Sequence, residues 1–393
     1  MTNKIHEVLV LGGGYAGVLC ANRVAGLLGP SARVTLVNAT PDFVHRVRLH
    51  ELLAGRPFPR RTVRELLRPG VTLRIGRVRA VSLATRTATV DDESLPFDAM
   101  VCALGSAPTT SLPGVAEHAA GLADPAAARR VAARLGTLPE RSPVAVIGGG
   151  FTGIEVAAEI AEAWPSLRVS LLAPSLAPGL SDAGQRYLRA SLDALGVEVV
   201  GGSSVRAVTA DAVELADASR RPAALTVWAG GFAGSAPSVD ADWPLDGRGR
   251  IVVDADLGVH GARGVFAAGD VAAAAPGMES SLRMGCVTAM PLGAHAADNV
   301  ARLLRGEPTR PFAFGFMVQC LSLGRGRGLV QPVGARDEPK AWVVTGRLGA
   351  LVKESICRYA VGALRVEAAA SGMYRWRGGV VAGYRSLPAT AGA

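Results

Sequence analysis

Two glycine-rich turns limit what this chain can fold into more tightly than any other feature. The first, Gly12-Gly13-Gly14-Tyr15-Ala16-Gly17, follows the apolar run Val8–Leu11. The second, Gly148-Gly149-Gly150-Phe151-Thr152-Gly153, follows Val144–Ile147. Each reads as a buried strand, a tight turn and a helix start. Glycine permits the turn and lets backbone approach a pyrophosphate, while the helix N-terminus adds amide donors and a positive dipole end. One such turn is weak evidence. Two, each in strand–turn–helix context, imply two dinucleotides on one polypeptide: a flavin held permanently and a nicotinamide that exchanges.

The 393 residues suffice for two or three domains with a large core. No apolar run is long enough to span a bilayer. The first apolar stretch reads as a strand rather than a signal peptide, so the expectation is a cytoplasmic protein. Net charge is +9, nearly all from arginine; the lysines are Lys4, Lys340 and Lys353. The charge is diffuse, and neither a helix-turn-helix nor a zinc pattern occurs, so no nucleic-acid partner is expected. The cysteines, Cys20, Cys102, Cys286, Cys320 and Cys357, form no C-x-x-C pair, so neither a metal site nor a local redox dithiol is expected.

Strand–helix–strand order extends through Arg33–Val37, and residues 42–68 read as partly helical around His45, Arg46 and Arg48. A small strand pair, Val71–Ile75 and Thr87–Val90, and a buried strand, Phe97–Leu104, follow. Pro108–Pro113 reads as a crossover. The second unit repeats the plan with Arg168–Leu172, a helix Ser181–Leu195, Val197–Val200 and Thr226–Gly230. The chain returns near Gly249 and presents Gly264-Val265-Phe266-Ala267-Ala268-Gly269-Asp270, a strand that ends in a carboxylate able to accept from a polyol hydroxyl. The expected fold is α/β: two Rossmann-like dinucleotide-binding domains, one inserted in the other, plus a C-terminal α+β domain. The boundaries read as 1–113 with 249–308, then 114–248, then 309–393.

These three motifs, in this order, resemble the two-dinucleotide-binding flavoprotein superfamily of pyridine nucleotide-disulfide oxidoreductases. Without a redox C-x-x-C, the chain is most similar to its type II NADH dehydrogenase-like branch. The resemblance implies an FAD-dependent oxidoreductase that takes hydride from NADH or NADPH and passes electrons to a quinone-like small-molecule acceptor. By that resemblance Gly12, Gly14, Tyr15, Ala16, Gly17, Asn38, Arg46, Ala103, Gly105, Gly269 and Asp270 hold the FAD, as do Thr288, Ala289 and Met290 at the flavin edge. Gly148, Gly150, Phe151, Thr152 and Gly153 hold the nicotinamide dinucleotide. Glu155, Gln319 and Cys320 fall to the catalytic face. Pro291 is expected in the first turn of the helix that follows Met284–Met290.

Departures from the family pattern shape the alternatives. Asn38 and Ala173 stand where a ribose-binding acid is expected, which leaves NADH versus NADPH open. Met290 and Ala294 replace the paired glutamines that the branch carries near its quinone, which favours as alternative a biosynthetic flavoenzyme acting on a small metabolite. A sulfide:quinone oxidoreductase or an NADH-sensing protein like apoptosis-inducing factor fits less well. Towards the C-terminus Leu348, Val352, Ile356, Tyr359 and Ala363 share one helical face that Lys353, Glu354, Arg358 and Arg365 avoid. That face suits peripheral contact with the inner side of a membrane, or packing on the chain's own core or on a second copy in a homodimer.

Overall fold

In the computed structural model, residues 4–57, 59–109, 112–240, 243–274, 278–279, 282–378 and 385–386 are described. The first unit runs β1 (His6–Leu11), α1 (Tyr15–Leu28), β2 (Ala32–Asn38), a short α2 (Leu49–Leu53), β3 (Val71–Ile75) and β4 (Ala99–Cys102). The second runs β5 (Pro143–Ile147), α3 (Phe151–Ala163), β6 (Arg168–Leu172) and β7 (Leu225–Trp228). The chain then gives β8 (Val265–Ala267) and α4 (Cys286–Leu304). It ends in β9 (Val318–Ser322), β10 (Gly328–Pro332), β11 (Val344–Thr345) and the long α5 (Gly346–Ala369).

Two parallel sheets carry the molecule. The first has the order β8-β4-β1-β2-β3; the second runs from Glu198–Val200 through β6, β5 and β7 to Ala119–Gly121. In each, the strand before the glycine turn is central, flanked by the next strand on one side and a later one on the other. Strand order reverses there, and a crevice opens at the carboxyl ends, where dinucleotides bind in such sheets. The central strands read Val-Leu-Val-Leu and Val-Ala-Val-Ile because both faces are buried; in the second sheet one face meets helices and the other the small antiparallel sheet around Val208, Val213 and Leu215. Return of the chain through β8 to the first sheet makes the second unit an insertion. The C-terminal part is α+β: an antiparallel β9-β10-β11 sheet with α5 packed on β10 and on α1.

Four expectations change. Val71–Ile75 and Thr87–Val90 are both strands but not partners. The first is the parallel edge of the main sheet, where it closes the open side of β2. The second lies between Val78–Ser82 and Glu93–Pro96, joined to the latter by the two-residue turn Asp91-Asp92 that pairs sequence neighbours. The helical reading of residues 42–68 shrinks to α2 and two single turns, Arg46–Arg48 and Arg64–Leu66. Pro291 is an interior residue of α4, which starts at Cys286 because Gly285, at φ 154°, breaks the chain just before it. Lys353, read as part of the outer polar face of α5, points inward. The crossover read at Pro108–Pro113 includes Thr110 and Ser111, which lie outside the described residues.

Candidate active site

The two glycine turns are built alike. A Cβ on Gly12 would stand 2.3 Å from the Ala103 carbonyl oxygen, and one on Gly148 2.3 Å from that of Ala229. Both have φ above +100°, so only glycine lets these turns lie against the neighbouring strand end. Gly17 and Gly153 press on the Gly12 and Gly148 carbonyls in the same way. Gly14 and Gly150 are the exception: a Cβ there would meet nothing within 4 Å. Neither helix that follows has a side-chain cap or an acid in its first turn. Each therefore presents uncapped amides beside an open face, which is what a pyrophosphate needs. The residues present fit a dinucleotide at both turns.

The third motif joins the first. Gly269, at φ 78°, sits with its Cβ position 3.2 Å from the Ala16 Cβ and 3.7 Å from that of Ala289. Ala16, Gly269 and Ala289 therefore meet at the heads of α1 and α4. Asp270 Oδ2 accepts from Ser106 Oγ and Oδ1 from the Gly285 N–H, both at 2.9 Å. The carboxylate thus fixes the start of α4 while keeping lone pairs for a hydroxyl. Thr288 spends its hydroxyl on the Arg283 and Gly285 carbonyls, and Met290 is buried in the core. Asn38 folds back on the first turn, accepting from the Gly13 N–H at 2.9 Å. Ala103 and Gly105 lie at the end of β4, and Gly105 is open. The Arg46 side chain has no hydrogen-bond or ion-pair partner among the described residues.

Glu155, in α3, lies in a buried charged cluster that spans four elements. Its Oε1 accepts from Lys353 Nζ of α5 and from the Ser322 N–H of β9, both at 2.9 Å, and its Oε2 stands 3.5 Å from His50 Nδ1 of α2. Burial alone would raise the Glu155 carboxyl; the Lys353 cation, then His50 and the Ser322 amide, outweigh it and hold it below the usual carboxylate range. Burial pulls the Lys353 ammonium down, but Glu155 overrides it and holds it well above the ordinary lysine value. Burial lowers His50 against the pull of the Glu155 carboxylate, and its Nε2 is buried with no hydrogen-bond partner among the described residues.

Strand alternation separates the other two predicted catalytic residues. Ser322 and Cys320 share the face of β9 towards Glu155, and Cys320 feels the Lys353 charge. Gln319 faces the other way, donating to Asp337 Oδ1 at 3.0 Å beside Gly179. Cys286, first residue of α4, is pushed up to about 11 by burial, and Cys357 to about 12. These thiols are protonated at neutral pH, which disfavours persulfide chemistry. Tyr15 completes the convergence: its hydroxyl bonds to His45 Nδ1, and it lies near Cys286 and Cys357. Lys353 and His50 were missed in the sequence. The one available signal was that Lys353 is among very few lysines in an arginine-rich chain.

A cavity of about 410 Å³ leads to this cluster, lined by half-buried Lys353 and buried Cys357, by Ser322 and Arg325, and by exposed Arg347 and Leu351. Beside it Glu159, fully buried, accepts from Arg56 Nε at 2.8 Å and from Arg325 Nε at 3.0 Å. Arg48 Nη1 bonds Glu51 at 2.8 Å and its Nη2 reaches Glu354 at 2.6 Å. These bridges tie α2, α3, the β9–β10 turn and α5 together around the cavity.

Comparison with known proteins gives the same picture. The pyridine nucleotide-disulphide oxidoreductase family model matches residues 6–294. A type II NADH:quinone oxidoreductase of Staphylococcus epidermidis is 28% identical over 394 residues, covering 91% of this chain and 95% of that protein. An NADH dehydrogenase-like protein of Mycobacterium tuberculosis is 30% identical over 342 residues, covering 81% and 86%. The sulfide:quinone oxidoreductase of Aquifex aeolicus superposes with TM-score 0.77 at 18% identity, covering 93% of each chain. NDH2 from Plasmodium falciparum gives 0.69 at 14% identity, covering 94% and 99%. At these identities the two structures speak to fold alone.

Proposed function

The chain belongs to the pyridine nucleotide-disulphide oxidoreductase family, and we propose that it is an FAD-dependent NAD(P)H oxidoreductase that reduces a quinone-like acceptor. One observation carries the reading. A cation and a buried carboxylate, Lys353 and Glu155, meet at the helix that follows the second glycine turn, at the inner end of a cavity open to the outside. FAD bound at the first turn would accept hydride and deliver electrons. A quinone takes up protons as it is reduced, and the chain's own residues hold them. The Lys353 ammonium holds a proton and donates it in a hydrogen bond to Glu155 Oε1, with His50 Nδ1 beside the second carboxylate oxygen, so a proton leaving Lys353 through Glu155 can reach the reduced acceptor. NADH is taken as the reductant on family grounds alone, since buried Ala173 offers neither a carboxylate for a ribose nor a cation for a 2′-phosphate.

The site assignments follow the same logic. Gly12, Gly14, Gly17 and Asp270 hold the flavin nucleotide, and Gly148, Gly150 and Gly153 the nicotinamide. Glu155 and Lys353 act on the acceptor, with Cys320 beside them.

Anaerobic stopped-flow spectroscopy tests this. NADH or NADPH should bleach the flavin of wild-type protein, and menadione should restore it. In Glu155→Gln, bleaching should persist while reoxidation slows by about 100-fold. Equal reoxidation rates in the variant would remove Glu155 from the acceptor half-reaction. A folded, colourless wild-type protein that takes up no FAD would remove the flavin reading itself.

A further inference from the structure

Away from the redox centre, a cavity of about 650 Å³ lies where the C-terminal ends of α1 and α4 meet the strap Gly372–Gly378. Its size is that of a small-molecule site. Arg23, Arg302, Arg305, Arg310 and Arg375 line it, against the carboxylates of Asp298 and Glu307. Three of these arginines are already engaged. Arg23 Nε donates to Asp298 Oδ1 at 2.6 Å, and Arg302 pairs with Glu307 at 3.0 Å. Arg305 Nη2 donates to the Leu27 carbonyl at 2.5 Å, capping the end of α1. The guanidinium groups of Arg310 and Arg375, both exposed, have no hydrogen-bond or ion-pair partner among the described residues.

The walls are built in advance. Buried Asn299 grips the Arg310 peptide from both sides: its Oδ1 accepts from the N–H and its Nδ2 donates to the carbonyl, each at 2.9 Å. His295 Nε2 reaches the same carbonyl at 2.8 Å. Opposite, buried Glu367 accepts from the Gly372 and Tyr374 N–H groups, both at 2.7 Å, and so fixes the strap that bears Arg375. Backbone on both sides is thus ordered before any ligand arrives. The cavity offers charge rather than a stacking platform. Trp376 is already stacked with Phe312 and Tyr374, and the Arg23 guanidinium lies over its ring at 5.9 Å. A nucleobase finds no free ring face there. Two unpaired guanidinium forks suit an oxyanion with several acceptor oxygens.

We propose that this cavity binds a phosphate group, gripped by Arg310 and Arg375; the inference does not depend on the redox reading. A soluble phosphate compound and the headgroup of an anionic lipid present the same chemistry. Met373, an exposed apolar residue between Gly372 and Tyr374 in the strap, would suit the second.

Two measurements on the FAD-loaded protein separate these sources. One is calorimetry with inorganic pyrophosphate. The other is flotation with phosphatidylcholine vesicles, with and without phosphatidylglycerol. Both compare wild type with Arg310→Ala/Arg375→Ala and with the charge-matched Arg129→Ala/Arg130→Ala. A loss of pyrophosphate affinity of about tenfold or more in the first variant alone supports the site and assigns a soluble phosphate. A comparable loss of binding to the anionic vesicles in that variant alone supports it and assigns a lipid headgroup. If neither probe distinguishes the two variants, the proposal fails. It fails equally if pyrophosphate binding is abolished by Gly150→Val and untouched by the arginine pair, because the anion then belongs to the nucleotide turn.

Discussion

Single side chains here are set by what is buried beside them. His45 is held at about 4 by burial first and by the Arg48 cation second, below its ordinary 6.5. The folded ring therefore stays neutral at a pH where the unfolded chain binds a proton. The unfolded state gains protons as pH falls from about 6.5 to about 4, so stability drops across that window, by up to about 3 kcal/mol for this one ring. His50 and His295, also lowered by burial, act in the same direction. Glu155 acts in the same direction in a lower window: its folded value is depressed, so its contribution is lost as pH falls from the ordinary carboxylate range down through the folded value. Thermal melts at pH 7 and pH 4.5 should therefore show a steeper loss in wild type than in His45→Gln. Parallel losses would mean that the His45 ring does not govern acid sensitivity in this window.

At the scale of an element, the glycines of each turn divide into two jobs. Gly12 and Gly148 let the turn lie against a neighbouring strand end; Gly14 and Gly150 leave a face open for a ligand. Substitution should separate them. Gly150→Val keeps a permitted backbone, with φ −76°, and its Cβ meets no atom within 4 Å. It should cost folding about 1 kcal/mol or less and retain the yellow colour, yet abolish bleaching by NADH. Gly12→Ala forces a Cβ against the Ala103 carbonyl at a left-handed φ and should destabilise by about 2–4 kcal/mol, with loss of flavin. Denaturant titration and flavin absorbance read both. A Gly150→Val protein reduced as fast as wild type would take the nicotinamide away from the second turn.

At the scale of the whole molecule, α5 leaves part of one face uncovered. The inner side of the helix is taken by Cys357, Ala360, Val361, Ala363 and Leu364 packing, with Lys353 turned towards Glu155. This rotates the outer face from the one the sequence suggests: Leu348 and Tyr359 stay exposed, Ala363 is buried, and Leu351 and Val366 join the exposed side. Arg347, Arg358 and Arg365 lie on the same helix and are exposed too. No described helix is long and apolar enough to cross a membrane. We propose that this flank rests on an anionic membrane surface, beside the cavity mouth at Leu351, so that an apolar acceptor enters from the lipid. Leu348→Ser/Leu351→Ser/Tyr359→Ser should lower vesicle binding in flotation by about tenfold or more, with NADH bleaching unchanged. Equal flotation of the variant would shift the exposed side towards a second copy of the chain.

The sequence determined the two sheets, the nesting of one unit in the other and the glycine turns, because those features are written in local order: an apolar run, a turn that only glycine allows, and a helix. It also marked Asp270, which ends such a run, while Glu155 was marked by resemblance to the family. It could not reveal that Lys353 and His50, far away along the chain, would meet Glu155. An inward lysine and an outward one look alike when helical periodicity is counted, and only α1 and β10 packing against α5 selects the inward face. Nor could it show that Gln319 and Cys320, adjacent in the chain, would be parted by the alternation of β9, since that depends on which side of the strand faces α3. Charge pairing among distant residues is decided by tertiary packing, because a charge is buried only where its partner has already been carried to it.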